Sequence, residues 1–386
     1  MKKRAMIYVQ HLLGIGHLQR SLQLAAALAE REFQVELVSG GLAKTEAPVT
    51  AIHLSQLPAL RSVDGSFTRL LDDQDNEIDL DWKRRRRNLL LDIFNRFRPD
   101  VLITETFPFG RRMMRFELLP LLEAALASSH RPLLVSSIRD ILQPKSKPGR
   151  NQEICDLVDR FYDHVLVHGD EDIATLEDSF CHAEAIRDKV SYSGYISNAD
   201  YPSPPQDEGF NEVLVSAGGS STGLEILKTA IAAKPLSCFK NHLWRLLVSP
   251  SISADDFRAL QELDTNGIIL QRNRADFTGL LHRARLSISQ AGYNTITDIL
   301  QSDTPACVIP YAEANEIEQT LRARRLQEKG RLVMLEEKRL SPETLATAIR
   351  QASLLESDMP RPGLDGAHQS AIYLEQWLEE TVPGVD

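Results

Sequence analysis

The residues with the clearest chemical pattern lie between positions 289 and 319. Gly292 follows an apolar run and opens a stretch with helical spacing, so backbone N–H groups are available there to a phosphate. Asn294 and Thr295 stand in the first turn of this predicted helix. Asp298 follows about one turn later and supplies a carboxylate that can accept hydrogen bonds from ribose hydroxyls. The pattern predicts a site for the phosphates and ribose of a nucleotide sugar.

The spacing inside this segment also has a purely structural explanation. Thr295 and Asp298 stand three residues apart, which is the spacing of a capping box at a helix start. Such a cap stabilises a helix whether or not a ligand is present. The two roles are compatible, and the sequence leaves both open for Asp298.

A second glycine-rich turn occupies residues 217–223, directly after a predicted strand. It is not a P-loop, because Leu-Glu at 224–225 replaces the required Lys and Ser or Thr. Gly218, Gly219 and Ser220 can still direct bare N–H groups toward an anion. A diphosphate held in this way needs no metal ion, so none is expected. The alternative is an ordinary strand-to-helix loop with serine caps.

The first half of the chain has one pattern suited to proton transfer. Gly14, Gly16, His17 and Arg20 follow the first predicted strand. The pattern is not a dinucleotide fingerprint, because Gln19 stands at the third glycine position. Imidazole has a reference pKa of about 6.5, so neutral His17 can accept a proton from a hydroxyl near physiological pH. The structural alternative is a polar residue that only caps the first helical turn.

Apolar runs of strand length alternate with helical stretches along the chain. In the first half the predicted strands are Ala5–Val9, Val35–Val38, Val101–Thr104, Leu133–Ser137 and Val165–His168. In the second half they are Val213–Ser216, Leu246–Ser249, Ile268–Leu270, Leu286–Ser289 and Ala306–Ile309. Strands that alternate with helices pair in parallel, so the predicted fold class is α/β with two doubly wound parallel sheets.

A polar, proline-rich stretch at residues 197–210 separates the two halves and has the composition of a linker. The length of 386 residues and the hydrophobic content of 42% are sufficient for two cores. We therefore predict one domain at residues 1–200, a second at 201–368, and a C-terminal helix within 369–386.

Charge and cysteine content argue against several classes of protein. The formal net charge is -10, so the surface as a whole is not expected to attract nucleic acid. The 4 cysteines are far apart and form no Cys-x-x-Cys pair, which indicates neither a zinc site nor a disulfide framework. A reducing cytoplasm fits this pattern. Apolar runs are shorter than the roughly 18 to 20 residues of a membrane span, and the run after Lys3 is too short for a signal peptide.

Two further segments carry basic residues. Lys83–Arg87 is a basic run on a predicted helix, and we interpret it as a solvated face. Residues 107–114 mix aromatic, apolar and basic side chains. Core packing with a basic helix start is the preferred interpretation of this segment, and contact with a lipid-linked molecule at a membrane surface is the alternative.

The segment that reads Ser-Gln-Ala-Gly-Tyr-Asn-Thr, then Asp298, then Thr-Pro-Ala-Cys-Val-Ile-Pro and Glu318-Gln319 resembles the C-terminal signature of the MurG-like glycosyltransferases. The resemblance is strongest in this segment and extends weakly over both halves. It implies the GT-B fold, in which two Rossmann-like domains face a cleft and a C-terminal helix returns to the first domain. It also implies a UDP-sugar as donor substrate, with no further cofactor.

The resemblance assigns roles to the residues of the second half. It implies that Asp298 holds the ribose hydroxyls and that residues 292–295 pass close to the phosphates. It implies further that Glu318 and Gln319 contact the donor sugar. The alternative for this last pair is that they are ordinary polar residues on a helix surface.

The resemblance places Gly14, Gly16, His17 and Arg20 on the acceptor side, with His17 as the base. The expected reaction is an inverting, metal-independent transfer of a sugar to an acceptor hydroxyl. The acceptor is either lipid-linked, which would bring the protein to the inner face of the membrane, or a small molecule. Two alternatives remain open at this point: a nucleotide-sugar hydrolase in which His17 activates water, and a nucleotide-sugar-binding protein without catalysis.

Overall fold

The chain folds as two compact units. The computed structural model describes residues 2–12, 16–42, 51–62, 69–144, 147–197, 201–217, 221–263, 266–312, 317–355 and 362–381. The first unit comprises Met1–Glu171, Thr175–Ile196 and Asp365–Asp386, and the second comprises Asp172–Ala174 and Ser197–Leu364. The main division of the chain therefore falls between Ile196 and Ser197.

The first unit is built on a parallel sheet with the strand order β3-β2-β1-β6-β7-β8-β9. Its described elements are β1 (Arg4–Val9), α1 (Gly16–Glu30), β2 (Gln34–Ser39), β3 (Ile52–Gln56), β4 (Arg61–Ser62), β5 (Leu70–Leu71), α2 (Leu80–Phe97), β6 (Val101–Glu105), α3 (Arg115–Ala127), β7 (Leu133–Arg139), α4 (Arg150–Phe161), β8 (His164–His168) and β9 (Val190–Tyr192). The short strands β4 and β5 form a separate antiparallel pair.

The central strand β1 shows why this sheet carries helices on both faces. Successive residues of a strand point to opposite sides. Met6 and Tyr8 pack into the buried cluster that contains α2 and α3, whereas Ala5, Ile7 and Val9 pack into the cluster that contains α1. The unbroken apolar run of residues 5–9 therefore fits only a sheet that is covered on both faces.

The second unit is built on another parallel sheet, with the order β12-β11-β10-β13-β14-β15. Its described elements are β10 (Val213–Ala217), α5 (Ser221–Ala233), β11 (Trp244–Val248), α6 (Ala254–Gln261), β12 (Ile268–Arg272), α7 (Phe277–Arg283), β13 (Leu286–Ser289), α8 (Tyr293–Ser302), β14 (Ala306–Val308), α9 (Glu318–Glu328), β15 (Val333–Met334) and α10 (Pro342–Ala352). The predicted fold class, two doubly wound parallel sheets, is confirmed.

The last helix, α11 (Gly366–Thr381), belongs to the first unit and packs against α1. Its residues Ala371, Leu374 and Trp377 are buried in the cluster that α1 shares with the sheet. At the surface, the carboxylate of Glu375 accepts a hydrogen bond from Lys3 Nζ at 2.9 Å. Helix α11 is thus part of the first core.

The proline-rich stretch packs onto the second unit over its described residues, 201–210. The ring of Tyr201 stacks on His282 with 5.2 Å between centroids. Arg283 on α7 donates to the carbonyl oxygen of Pro205 at 2.6 Å. A Cβ atom added at Gly279 would lie 2.5 Å from Pro204, so only glycine allows this close approach. The stretch is anchored on α7 by these contacts.

One residue of the basic run on α2 is buried, contrary to the expectation of a solvated face. Arg84 and Arg85 are exposed, but Arg86 is fully buried. Its guanidinium donates to the two carboxylate oxygens of Glu117 at 2.8 and 3.0 Å and to Gln10 Oε1 at 2.6 Å. The expectation is wrong at this position because a carboxylate on α3 compensates the buried charge.

The aromatic segment after β6 packs into the core, as the preferred interpretation predicted. Phe107, Phe109 and Met114 are buried in the cluster under α3. The basic residue Arg115 pairs at the surface with Glu153, at 2.7 Å. Among the described helices, none is long and apolar enough to cross a membrane.

Candidate active site

Each sheet has one point at which its strand order reverses. In the first unit the chain runs outward from β1 toward β3 and then returns to β6 on the other side of β1. In the second unit the same reversal lies between β10 and β13. Ligands of doubly wound sheets bind beyond the carboxyl ends of the strands at such points. His17 follows β1, Glu105 ends β6, and Gly292 follows β13.

In the first unit the reversal point brings His17 against Glu105. Nδ1 of the imidazole lies 3.0 and 2.9 Å from the two carboxylate oxygens. A carboxylate accepts, so Nδ1 carries the hydrogen and the lone pair of the neutral ring is on Nε2. Within the described part of the chain, every recorded partner of His17 meets Nδ1. The histidine is oriented by one nitrogen and keeps the other for a ligand.

Glu105 is itself held by several donors. It is 1% exposed, and Arg20 on α1 donates to its Oε1 atom. The hydroxyl of Thr106 donates to Oε2 at 2.6 Å. Burial by itself would raise the pKa of this carboxyl, but His17 and Arg20 outweigh burial and hold the pKa well below its usual range. Glu105 is therefore ionised at neutral pH.

His17 is neutral at physiological pH. Burial lowers the pKa of its imidazole to about 4, although Glu105 opposes the shift. The guanidinium groups of Arg111 and Arg139 lower this pKa further. The side chain of His17 retains 17% exposure, so Nε2 is not sealed in the core. A neutral, oriented and accessible imidazole is the form that acts as a general base.

In the second unit the start of α8 is open to an anion. Gly292 is the N-cap residue and no side chain caps the helix. A Cβ atom placed on Gly292 would meet no atom within 4 Å, so the space beside it is free. The first-turn residues Asn294 and Thr295 lie inside the helix, so Thr295 does not form the N-cap of a capping box. The positive end of the helix dipole adds to the attraction for a phosphate.

Asp298 lies in the second turn of α8. Its Oδ1 atom accepts a hydrogen bond from Thr278 Oγ1 at 3.0 Å. Burial raises the pKa of the Asp298 carboxyl to about 6, and the Thr278 hydroxyl opposes this shift. The carboxylate is ionised at pH 7 and is available to hydroxyl donors.

Glu318 and Gln319 begin α9, and both side chains have partners inside the protein. Glu318 is 5% exposed and pairs with Arg322 at 2.9 Å. Arg322 also donates to the carbonyl oxygen of Ala291 at 3.3 Å, next to the Gly292 turn. Gln319 Oε1 accepts from the backbone N–H of Tyr311 at 3.0 Å. Glu318 therefore fixes Arg322 beside the α8 start, and Gln319 fixes the backbone at Tyr311. Contact of either residue with a donor sugar stays a prediction.

Some predicted site residues lie outside the described part of the chain, namely Gly14, Gly218, Gly219 and Ser220. Gly16 is the first residue of α1, one position before His17. Within the described ranges, no group of three or more His, Cys, Asp or Glu side chains is placed to hold a metal ion. Sequence reasoning missed Glu105, whose one signal was an acidic residue at the end of a fully apolar strand.

Residues 213–359 match the model of the glycosyltransferase family 28 C-terminal domain. The match lies within the second unit. The matched residues include the α8 start and Asp298, so the predicted resemblance to MurG-like proteins is confirmed for the unit that carries the phosphate and ribose pattern.

Two curated relatives carry the name UDP-N-acetylglucosamine–N-acetylmuramyl-(pentapeptide) pyrophosphoryl-undecaprenol N-acetylglucosamine transferase. The relative from Syntrophotalea carbinolica is 31% identical over 151 residues, which are 38% of this chain and 41% of the relative. The relative from Synechocystis is 27% identical over 202 residues, which are 47% of this chain and 51% of the relative. This chain therefore spans about half the length of these relatives, or less.

Solved structures resemble this chain over nearly its whole length. The calicheamicin glycosyltransferase CalG4 superposes with a TM-score of 0.65 at 14% identity and covers 99% of this chain and 100% of its own. MurG of Acinetobacter baumannii superposes with a TM-score of 0.58 at 13% identity and covers 97% of this chain and 99% of its own. These similarities establish the GT-B fold that the sequence predicted.

Proposed function

We propose that this protein is a glycosyltransferase that moves a sugar from a nucleotide-sugar, a UDP-sugar, to an acceptor hydroxyl. The observation that carries the proposal is the His17–Glu105 pair, which presents a neutral imidazole nitrogen at the reversal point of the first sheet. A nucleotide-binding protein without catalysis has no need of a buried carboxylate that orients such a base. The match of residues 213–359 to the glycosyltransferase family 28 C-terminal domain supports a nucleotide-sugar as the donor.

The second unit supplies the proposed donor site. In this proposal the N–H groups at the start of α8, which no side chain caps, bind the diphosphate, and Asp298 accepts hydrogen bonds from the ribose. We infer the uridine nucleotide from the names of the relatives, which are transferases of N-acetylglucosamine from UDP-N-acetylglucosamine. The same names specify an undecaprenol-linked acceptor. For this chain we propose an acceptor with a free hydroxyl. The acceptor is either a lipid-linked molecule at the inner membrane face or a small molecule of the cytoplasm.

The proposed reaction is a single displacement. His17 Nε2 removes the proton of the acceptor hydroxyl as its oxygen forms a bond to the anomeric carbon. The bond from that carbon to the diphosphate breaks at the same time, and the diphosphate leaves with the electron pair. Attack from the side opposite the leaving group inverts the anomeric configuration. Glu105 stabilises the imidazolium that forms, as the carboxylate does in other acid–base pairs.

The charge that develops on the leaving diphosphate is met by fixed dipoles in this proposal. The α8 N–H groups are already directed at the site, so no reorganisation is needed during the reaction. Such stabilisation proceeds without a metal ion. Turnover that is unchanged by a chelator would agree with this step, and turnover that is restored only by a divalent cation would contradict it.

A panel of nucleotide-sugars tests the proposal. A ligand that binds only the folded state raises the melting temperature by mass action, so the donor is the compound that shifts Tm most. That donor is then incubated with the protein, with and without a lipid extract or hydroxylated small molecules as acceptors. Release of the nucleoside diphosphate only when an acceptor is present supports transfer. Equal release without any acceptor indicates hydrolysis, with His17 activating water.

Replacing Asp298 by alanine is expected to weaken UDP binding by about 10- to 100-fold, because hydrogen bonds to a charged acceptor are lost. Turnover at saturating donor should change less than about threefold, since Asp298 does not touch the reacting atoms. Calorimetric titration gives the first value and steady-state kinetics the second. Asp255→Ala, at an exposed acid of the same unit, is the matched control and should bind UDP normally. Unchanged UDP affinity in Asp298→Ala would remove this residue from the donor site.

Donor binding and catalysis are expected to respond to acid in different pH ranges. Ionised Asp298 is needed for binding, and its carboxylate is lost as the pH falls through about 6. Neutral His17 is needed for catalysis, and its neutral form persists until the pH approaches about 4. KM for the donor should therefore rise below pH 6 while kcat is retained to about pH 5. A kcat that falls with a midpoint near the usual imidazole pKa of about 6.5 would contradict this assignment.

A further inference from the structure

Thr278 is the residue that fixes the Asp298 carboxylate. It lies in the first turn of α7 and is 4% exposed. Its hydroxyl donates to Asp298 Oδ1 at 3.0 Å, and this is the single recorded partner of that carboxylate among the described residues. One threonine hydroxyl has one hydrogen to donate, so this contact determines which Asp298 oxygen is held by the protein. The other oxygen, Oδ2, is left for a ligand.

The position of Asp298 along α8 suits a ribose. The residue follows the Gly292 N-cap by six positions, and a helix rises about 1.5 Å per residue, so its Cα lies about 9 Å from the helix start along the axis. A diphosphate at the helix start places its nucleoside within reach of the second turn. The Asp298 carboxylate is therefore placed to meet the hydroxyls of the sugar attached to the phosphate.

Helix α7 is held firmly enough to act as a reference for this contact. Arg274 donates to both oxygens of Asp276, the N-cap residue of α7, at 2.8 and 2.6 Å. One residue beyond Thr278, Gly279 meets Pro204 so closely that an added Cβ atom would lie 2.5 Å from the proline ring. The helix is therefore clamped on both sides of Thr278. A hydrogen-bond donor on a helix that is fixed in this way holds the carboxylate that it contacts in one orientation, at little cost in conformational entropy.

We propose that Thr278 is a positioning residue for ribose recognition: it orients Asp298 so that the carboxylate accepts from the ribose hydroxyls, and thereby makes the site selective for ribonucleotides over 2′-deoxyribonucleotides. This inference depends on the proposed function, because it assumes that the second unit binds a nucleoside diphosphate. It adds a specificity determinant from α7, a helix to which the sequence assigned no role.

The experiment compares UDP with 2′-deoxy-UDP by calorimetric titration of the full chain. The wild-type protein is expected to prefer UDP by about 10-fold or more, because the missing hydroxyl leaves a charged acceptor without its donor. Thr278→Val keeps the side-chain shape and removes the hydroxyl. It should reduce the preference to less than about threefold, while Thr278→Ser, which keeps the hydroxyl, should retain it.

A second threonine provides the matched control. Thr304 is 6% exposed, and its hydroxyl donates to the carbonyl oxygen of Leu281 at the other end of α7. Thr304→Val removes a buried hydroxyl that contacts the same helix, without touching Asp298. It should leave the UDP preference unchanged, because a structural loss alone weakens both ligands equally. If Thr304→Val and Thr278→Val lower the preference equally, the positioning role is overturned.

A double variant keeps the inference testable even where Thr278→Val lowers stability. In the Asp298→Ala background the preference for UDP over 2′-deoxy-UDP is already lost. Adding Thr278→Val to that background should therefore leave the ratio of the two affinities unchanged. A full wild-type preference in Thr278→Val, together with its loss in Asp298→Ala, would overturn the role of Thr278 and leave the proposed donor site intact. A wild-type protein that binds neither UDP nor 2′-deoxy-UDP would overturn the proposed donor site as well.

Discussion

His17→Ala is expected to lower kcat by about 10²- to 10⁴-fold, because the variant lacks the nitrogen that takes the acceptor proton. UDP affinity should stay within about threefold of the wild type, since the phosphates and ribose are assigned to the second unit. Steady-state kinetics with the donor and acceptor found by the nucleotide-sugar panel measure the first value, and calorimetry measures the second.

Two further variants separate a role in proton transfer from a general structural effect. Glu105→Gln keeps the size of the side chain but removes the charge that stabilises the imidazolium, so kcat should fall by at least about 10-fold. His53 forms a similar contact with Glu36, at 3.0 Å, but its side chain is 69% exposed and it lies on the strand β3. His53→Ala should keep full turnover. Full turnover in His17→Ala would remove this residue from the mechanism.

Arg86→Met is expected to reduce the free energy of unfolding of the first unit by about 3 to 5 kcal/mol, because it leaves the Glu117 carboxylate buried without its counter-charge. The variant also removes the hydrogen bond that Arg86 donates to the side-chain oxygen of Gln10, at the end of β1. Native-state hydrogen exchange of the β1 and β2 amides measures the change within this unit.

The matched control is Arg84→Met on the same helix. Arg84 is exposed, so this substitution should lower the free energy of unfolding by less than about 0.5 kcal/mol. The double variant Arg86→Met with Glu117→Leu should recover much of the lost stability, because both charges are then removed together. Equal losses for Arg84→Met and Arg86→Met would contradict the buried ion pair.

The periodicity of the sequence was sufficient to predict the fold class. Strands β1 and β14 are buried on both faces, so residues 5–9 and 306–308 form unbroken apolar runs that are visible without a structure. The short strands β3, β9 and β15 were not predicted. They lie at or next to a sheet edge, where fewer positions are buried and the apolar run is interrupted.

The contacts that complete the candidate site could not be predicted in the same way. His17 and Glu105 are 88 positions apart and meet because β6 returns to the side of β1. Thr278 and Asp298 lie on neighbouring helices and share no sequence motif. Local patterns identify a residue that can do chemistry, but its partner depends on which strands and helices become neighbours. Arg86 was misjudged for the same reason, since its counter-charge is on α3.

In the proposed reaction a sugar passes from a nucleoside diphosphate to an acceptor hydroxyl. The decisive measurement is the amount of sugar recovered in the product for each nucleoside diphosphate released, with and without acceptor. We predict equal amounts when an acceptor is present and little release when it is absent. Release that is equally fast without an acceptor, with the sugar recovered free in solution, would contradict transfer.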